Sequence, residues 1–399
     1  MALKIKYKRL KDVKLLYVIL FILVFSSRIT TIYFFSKINV FGEVVNIMQI
    51  FMYGGLIYIV AKKKYSLKEL FLFSIVGGLL LLGYIVSGQA AYFRGFLLVI
   101  ASKDVPYRKI LNVCRKAMTI VFEIGVVLYL AGISDAGISR RGASGLGFGH
   151  PNVAAQLMMI IILLWAAEKA GTMKSIHYIG IELGGALTFL LTGSRTSTIV
   201  ICLTPFIMCY GEKVMQYAQR GKIFKTLMTY SQLVIMMFTY FAVIFIERSS
   251  LLMKLDLIFA SRLFLNYYVF NRFRVKMFGQ NVILQDNSGT VYNNIHGWYN
   301  WSVTCDCSYM VTLLVMGLIP TIVVMIGYIM LMKKAIKRNN YMVVSLALLL
   351  AIYSFCESQM LEIYSNFVYF YLMTNDEVLD NISVNQNLIK LSKNGGMNT

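Results

Sequence analysis

Long apolar runs, separated by short polar or basic stretches, dominate the chain. Runs able to cross a hydrocarbon core of about 30 Å can be drawn at residues 15–36, 40–61, 70–87, 110–132, 152–167, 177–192, 197–210, 226–246, 309–331 and 341–356. Two shorter runs, 90–101 and 360–373, bring the predicted transmembrane helices to about twelve. Most connections are short. Two on one side are not: 133–151, and a much longer segment, 248–307, between the ninth and tenth spans. Within the long one, Leu252, Leu255, Ile258, Phe259 and Leu263 recur at helical spacing, which predicts an amphipathic helix lying on the surface. The pattern predicts an all-α, polytopic integral membrane protein with a single membrane domain over 1–374 and a cytoplasmic tail over 375–399.

Composition agrees with the pattern. With 58% hydrophobic and only 14% charged residues, the chain falls well short of the charged share of about 25% in soluble domains. The first run follows Lys4, Lys6, Lys8, Arg9, Lys11 and Lys14 as in a signal peptide. No small-residue cleavage site comes after it, so a retained signal-anchor helix is expected.

Charge then sets the expected orientation. If the N-terminus is cytoplasmic, 27 of the 39 lysines and arginines fall on inner segments, the excess that the positive-inside rule requires. The +21 net charge is thereby a topology signal and calls for no nucleic-acid partner. Both termini are expected in the cytoplasm of a multi-pass protein of the cell membrane. The outer basic residues differ in kind: arginines 28, 94, 140, 141, 195, 248, 262, 272 and 274 against lysines 37, 254 and 276. Arginine's planar fork matches phosphate and carboxylate, so an anionic ligand on that face is one reading. Lipid-headgroup anchors and internal salt bridges are the other.

Arg195 is the most costly of these residues by position. It sits in Thr192-Gly193-Ser194-Arg195-Thr196-Ser197, between two apolar runs, where a guanidinium costs about 2.5 kcal/mol or more unless it meets a cavity, partner or anion. The 133–151 loop ends in Gly147-Phe148-Gly149-His150-Pro151-Asn152. Pro151 suits a first helical turn, and the helix start beyond it presents free N–H groups to an anion. No dinucleotide or P-loop spacing is present. The six cysteines are scattered. Cys305 and Cys307, one residue apart, are too close for an unstrained bridge, so free thiols are expected. Neither a metal site nor a cofactor is indicated.

Together, Gly147 to Asn152, Thr192 to Thr196, Ala260-Ser261-Arg262-Leu263 with Phe278-Gly279, Asp306-Cys307-Ser308-Tyr309, and Glu357-Ser358 with Asn366 resemble the O-antigen polymerase and ligase family. The closest likeness is to polymerases of capsular or exopolysaccharide repeats, and it runs from about residue 135 to 370. The resemblance implies a GT-C-like membrane glycosyltransferase. It would join polyprenyl-pyrophosphate-linked oligosaccharides on the outer face, with membrane lipid, a chain-length regulator and a flippase of the same pathway as its surroundings. A ligase is the rival within the family, and a lipid-linked-glycan flippase the rival outside it. Asp306 stands where the ligase branch commonly has histidine, and Cys307 where asparagine is frequent; both departures favour the polymerase.

Breaking a glycosyl to pyrophosphate bond calls for fixed cationic donors at the leaving group, and Arg195 and Arg262 are the candidates. Their structural alternative is a salt bridge to Glu357, Asp256 or Asp306. Arg140 and Arg141 are candidates for a second pyrophosphate or an anionic sugar, or form a solvated loop pair. Arg28 and Arg94 rank below them. Asp306 and His150 are the candidate bases, each with capping as its alternative. Glu357 is expected to pair with Arg195 or orient the acceptor, and Asn152 and Tyr309 to contact substrate.

Overall fold

The computed structural model describes residues 2–135, 143–258, 261–282, 289–293, 297–301, 305–358 and 360–374. Arg140, Arg141, Phe259, Ala260 and the tail at 375–399 lie outside them. The chain opens with α1 (Ala2–Ile29), a short α2 (Tyr33–Ser36), α3 (Asn39–Lys62), α4 (Leu67–Ser87), α5 (Ala91–Ala101) and α6 (Tyr107–Leu130). It continues with α7 (Pro151–Lys169), α8 (Ser175–Thr192), α9 (Arg195–Arg220), α10 (Lys222–Thr229) and α11 (Ser231–Phe245). The long connecting segment carries α12 (Ser250–Ile258), α13 (Arg262–Phe273) and a two-stranded antiparallel hairpin, β1 (Gly289–Asn293) with β2 (Gly297–Trp301). Then come α14 (Ser308–Val311), a π-helical turn over Thr312–Met316, α15 (Leu318–Lys337), α16 (Tyr341–Cys356) and a 3₁₀ turn at Phe367–Leu372.

This is a helical membrane protein. Six helical segments among the described residues are long and apolar enough to cross a bilayer: α3, α4, α7, α8, Ser231–Arg248 (α11 with the turn after it) and α15. Helices α5 and α16 are apolar but shorter. At 1.5 Å per residue, the eleven residues of α5 cannot cross alone. The 360–373 run forms no long helix; turns and the 3₁₀ segment occupy it. Its apolar side chains, among them Met360, Leu361, Phe367, Phe370 and Tyr371, are buried in protein.

The core is organised around α7 and α16. Helix α7 packs on α6, α8 and α9, while α16 packs on α9, α11 and α15. Almost every turn of α16 is buried. By contrast, α3 and α4 expose Val40, Val44, Ile47, Phe51, Phe71 and Ile85, the apolar outer wall that lipid would cover.

Several predicted elements are divided: the 15–36 run between α1 and α2, the 226–246 run between α10 and α11, and two more in and after the long segment. The expected amphipathic helix of the long segment is α12 and α13, separated at Ser261, whose φ of +63° breaks the helix. Asp256, at the end of α12, restarts it: its two carboxylate oxygens accept from the N–H groups of Leu263 (2.7 Å) and Phe264 (3.4 Å). Ser261 occupies the N-cap position with no side-chain cap bond, so Asp256 supplies that function from outside the helix.

The expected span at 309–331 breaks at Gly317, where φ is +92°. The backbone of 276–280 crosses the chain there. Leu318 N–H donates to Lys276 O (2.9 Å), Ile319 N–H to Met277 O (3.0 Å) and Gln280 N–H to Val315 O (3.0 Å). The Gln280 amide also satisfies Phe273 O, Arg274 O and Leu314 O. A Cβ on Gly279 would lie 2.1 Å from Val315 O, and one on Gly317 2.1 Å from Gly279 N. Only glycine at both positions allows two backbones this close.

Candidate functional site

Arg262 is the first residue of α13, so the Asp256 cap and the left-handed turn at Ser261 fix where its side chain starts. The guanidinium donates to the carbonyl of Cys356 and, at 3.1 Å, to Glu357 Oε1. Its Nε lies 3.9 Å from Asp306 Oδ2. Residues far apart in sequence thus meet at the C-terminal end of α16. The partners Arg262 takes are the carboxylates its structural alternative named.

The two carboxylates differ. Glu357 is largely buried, its side chain 13% exposed, whereas the side chain of Asp306 is 40% exposed. Burial pushes the Glu357 carboxyl up to about 7; Arg262 opposes the rise and Asp306 adds to it. A carboxyl poised there can exchange a proton at neutral pH. With both carboxylates ionised the cluster carries one net negative charge; with Glu357 protonated it is neutral.

Ser308 holds this arrangement in place. Its N–H (3.0 Å) and hydroxyl both donate to Glu357 O, and its Oγ accepts from Met360 N–H at 2.7 Å. Tyr309, expected to contact substrate, is instead buried at 1% exposure and donates its hydroxyl to Ala351 O at 2.6 Å. Its hydroxyl is committed to the α16 backbone. Cys305 and Cys307 are free thiols, as are the other four cysteines. They contact Asn266 Oδ1 and Ser354 O respectively, and burial pushes both thiols up, which makes them poor nucleophiles.

Arg195 opens α9 at the same end of the bundle. Two residues on, Ser197 hydrogen-bonds Tyr353 Oη at 2.8 Å, tying the start of α9 to the last turn of α16. Ser197 is buried on that seam. Arg195 points elsewhere: it is exposed and has no hydrogen bond or ion pair among the described residues. The expected pairing of Glu357 with Arg195 is absent among them; Glu357 pairs with Arg262. The 143–148 segment lies against the α8–α9 turn, through Ser144 N–H to Leu191 O (3.2 Å) and the approach of Ala143 to Gly193.

His150 stands at the N-cap of α7, where its Nδ1 accepts from Asn152 N–H at 3.2 Å. That is the capping role weighed against catalysis. The ring is exposed and makes no described contact with the Arg262 cluster. Asn152 contributes its backbone N–H to this cap, and its side chain is half-buried.

A second charged cluster was only half visible in the sequence. Arg28 donates to Ser365 Oγ at 2.6 Å, Arg94 to Gln49 Oε1 at 3.4 Å, and Gln49 in turn to Ser26 Oγ at 3.1 Å. Glu362 lies within electrostatic reach of both arginines, and Tyr53 and Tyr364 share a hydroxyl contact beside it. Glu362 lies in an apolar run that predicts a span, and a carboxylate inside such a run is its signal in the sequence.

Among the described residues, no group of three or more His, Cys, Asp or Glu side chains could hold a metal ion. Compared with family models, curated proteins and solved structures, the chain matches none of the three.

Proposed function

We propose that this protein is a membrane glycosyltransferase that polymerises oligosaccharide repeat units carried on polyprenyl pyrophosphate, working at the outer face of the cell membrane. The observation that carries the reading is the meeting of Arg262, Glu357 and Asp306 at one end of a membrane bundle that also holds Arg195, exposed and without an ion pair among the described residues. The motif resemblance supplies the substrate class.

The ion pairs of Arg262 support a division of labour other than the one expected from the sequence. Arg262, already between two carboxylates, is a poor receptor for pyrophosphate, because the cluster is neutral or negative before the ligand arrives. It acts as the positioning residue for Glu357 and Asp306. Arg195, exposed and uncommitted at the start of α9, takes the pyrophosphate, with the free N–H groups and dipole of that helix behind it.

In the reaction, the acceptor hydroxyl oxygen attacks the anomeric carbon of the donor. The bond from that carbon to the pyrophosphate oxygen breaks, and its electron pair leaves with the lipid pyrophosphate. The hydroxyl proton passes to Glu357, or to Asp306 on the exposed side of the same guanidinium. Arg195 offsets the charge that grows on the leaving group.

Deleting the gene and sizing lipid-linked and surface glycans tests the class. Single repeats stranded on the outer face are expected; full chains left on the carrier mean a ligase, and units trapped inside mean a flippase. For the residue, Arg195→Ala is expected to stop elongation while the protein still inserts, with little rescue by Arg195→Lys. Normal glycan length in the alanine variant removes Arg195 from the reaction.

A further inference from the structure

At the end of the bundle opposite Arg262 lies a cavity of about 520 Å³, walled by α1, the α3–α4 turn and the α5–α6 turn. Its position is fixed by the chain beside it: Asp104 N–H donates to Met373 O at 3.0 Å, and Lys334, in the last turn of α15, donates to the carbonyls of Tyr371, Leu372 and Thr374. Lys62, Lys63, Lys64 and Lys103 line it against two carboxylates, Asp12 and Asp104; Val13, Leu16, Ile59 and Val105 supply the rest of the wall. The negative end of the α3 dipole accounts for one basic residue there. The positive-inside excess places the other lysines at this end of the bundle, and the fold gathers them around one cavity.

Two of the lysines build the frame. Lys63 donates to Lys103 O, and Lys103 donates to Glu69 Oε1 (2.7 Å) and to Lys64 O (3.2 Å), stitching the α3–α4 turn to the α5–α6 turn. Glu69 is held in turn by the capping box with Ser66 that opens α4. The other two lysines are left for a ligand. Among the described residues Lys62 contacts the ring and hydroxyl of Tyr58, a neutral partner, and Asp12 is within electrostatic reach. Lys64 is exposed and has no side-chain hydrogen bond or ion pair among the described residues.

A pocket with an ammonium rim and an aliphatic wall matches an amphiphilic anion better than a small inorganic one. The ammonium groups suit a phosphate, and Val13, Leu16 and Ile59 suit the first carbons of an acyl chain. We propose that this cavity binds the headgroup phosphate of an anionic phospholipid from the leaflet at that end, a site separate from the Arg262 cluster.

Purified full-length protein in neutral detergent, titrated with phosphatidylglycerol, phosphatidylcholine or inorganic phosphate and read by native mass spectrometry and thermal unfolding, tests the proposal. Phosphatidylglycerol is expected to bind stoichiometrically and raise the melting temperature, while phosphatidylcholine and millimolar phosphate do neither. Lys62→Gln with Lys64→Gln is expected to weaken phosphatidylglycerol binding at least tenfold, and Lys222→Gln with Lys225→Gln, two exposed lysines of α10, is expected to leave it unchanged. Equal binding of the two lipids, equal loss in the α10 control, or the full effect from phosphate alone would each overturn the assignment.

Discussion

Glu357 is where burial and charge compete most directly. With its carboxyl raised to about 7, its folded value exceeds the ordinary 4.5. The stability it contributes is therefore fully present below about pH 4.5 and lost as pH rises through about 7. Melting temperature in detergent is expected to fall between pH 5 and pH 8, and Glu357→Gln, which cannot ionise, should flatten that fall. If Glu357 is the base, elongation rate rises through the same window as the carboxyl deprotonates, and Glu357→Gln lowers it by about 10²–10⁴-fold. Arg262 currently holds the carboxyl down. Arg262→Ala is expected to move the rate limb to higher pH and, by leaving a buried carboxyl unpaired, to cost up to about 3–5 kcal/mol. An unmoved limb in that variant would assign the titration to another group.

At the scale of elements, the long connecting segment is held by two unlike devices. Asp256 caps α13 from the preceding helix, so Asp256→Ala is expected to cost about 0.5–2 kcal/mol and to speed amide exchange at Leu263 and Phe264. Gly279 and Gly317 allow the backbone crossing, and an alanine at either would meet backbone at 2.1 Å on top of an unfavourable positive φ. Gly279→Ala is expected to cost more than about 1 kcal/mol. Hydrogen exchange should rise together over 276–280 and 315–319; a rise confined to one strand of the crossing would mean the two segments are held independently.

Over the whole molecule, the apolar runs made the membrane class and most helices legible, because lipid leaves no choice but to satisfy backbone within each element. They misled where apolarity served protein burial instead: 360–373 carries the composition of a span but lies among other side chains. The break at Gly317 is likewise invisible to hydropathy, since it depends on a partner backbone 38 residues earlier in the sequence. Arg262, Asp306 and Glu357 were each legible through the motifs around them, yet their pairing comes from tertiary folding that no local pattern encodes. His150 and Tyr309 drew notice through the motifs around them, and the structure places them at a cap and in the core.

Glu357 supplies a carboxylate to Arg262 of α13, and Glu362, five residues on, lies within electrostatic reach of Arg28 of α1 and Arg94 of α5. Those arginines are translated well before either glutamate. Until α16 and the segment after it are made, neither glutamate can pair with an arginine, so the pairing of Arg262 with Glu357 is a late event in synthesis. A chain truncated before residue 357 is therefore expected to lack the Arg262 pairing, read as a lower melting temperature in detergent than that of the whole chain.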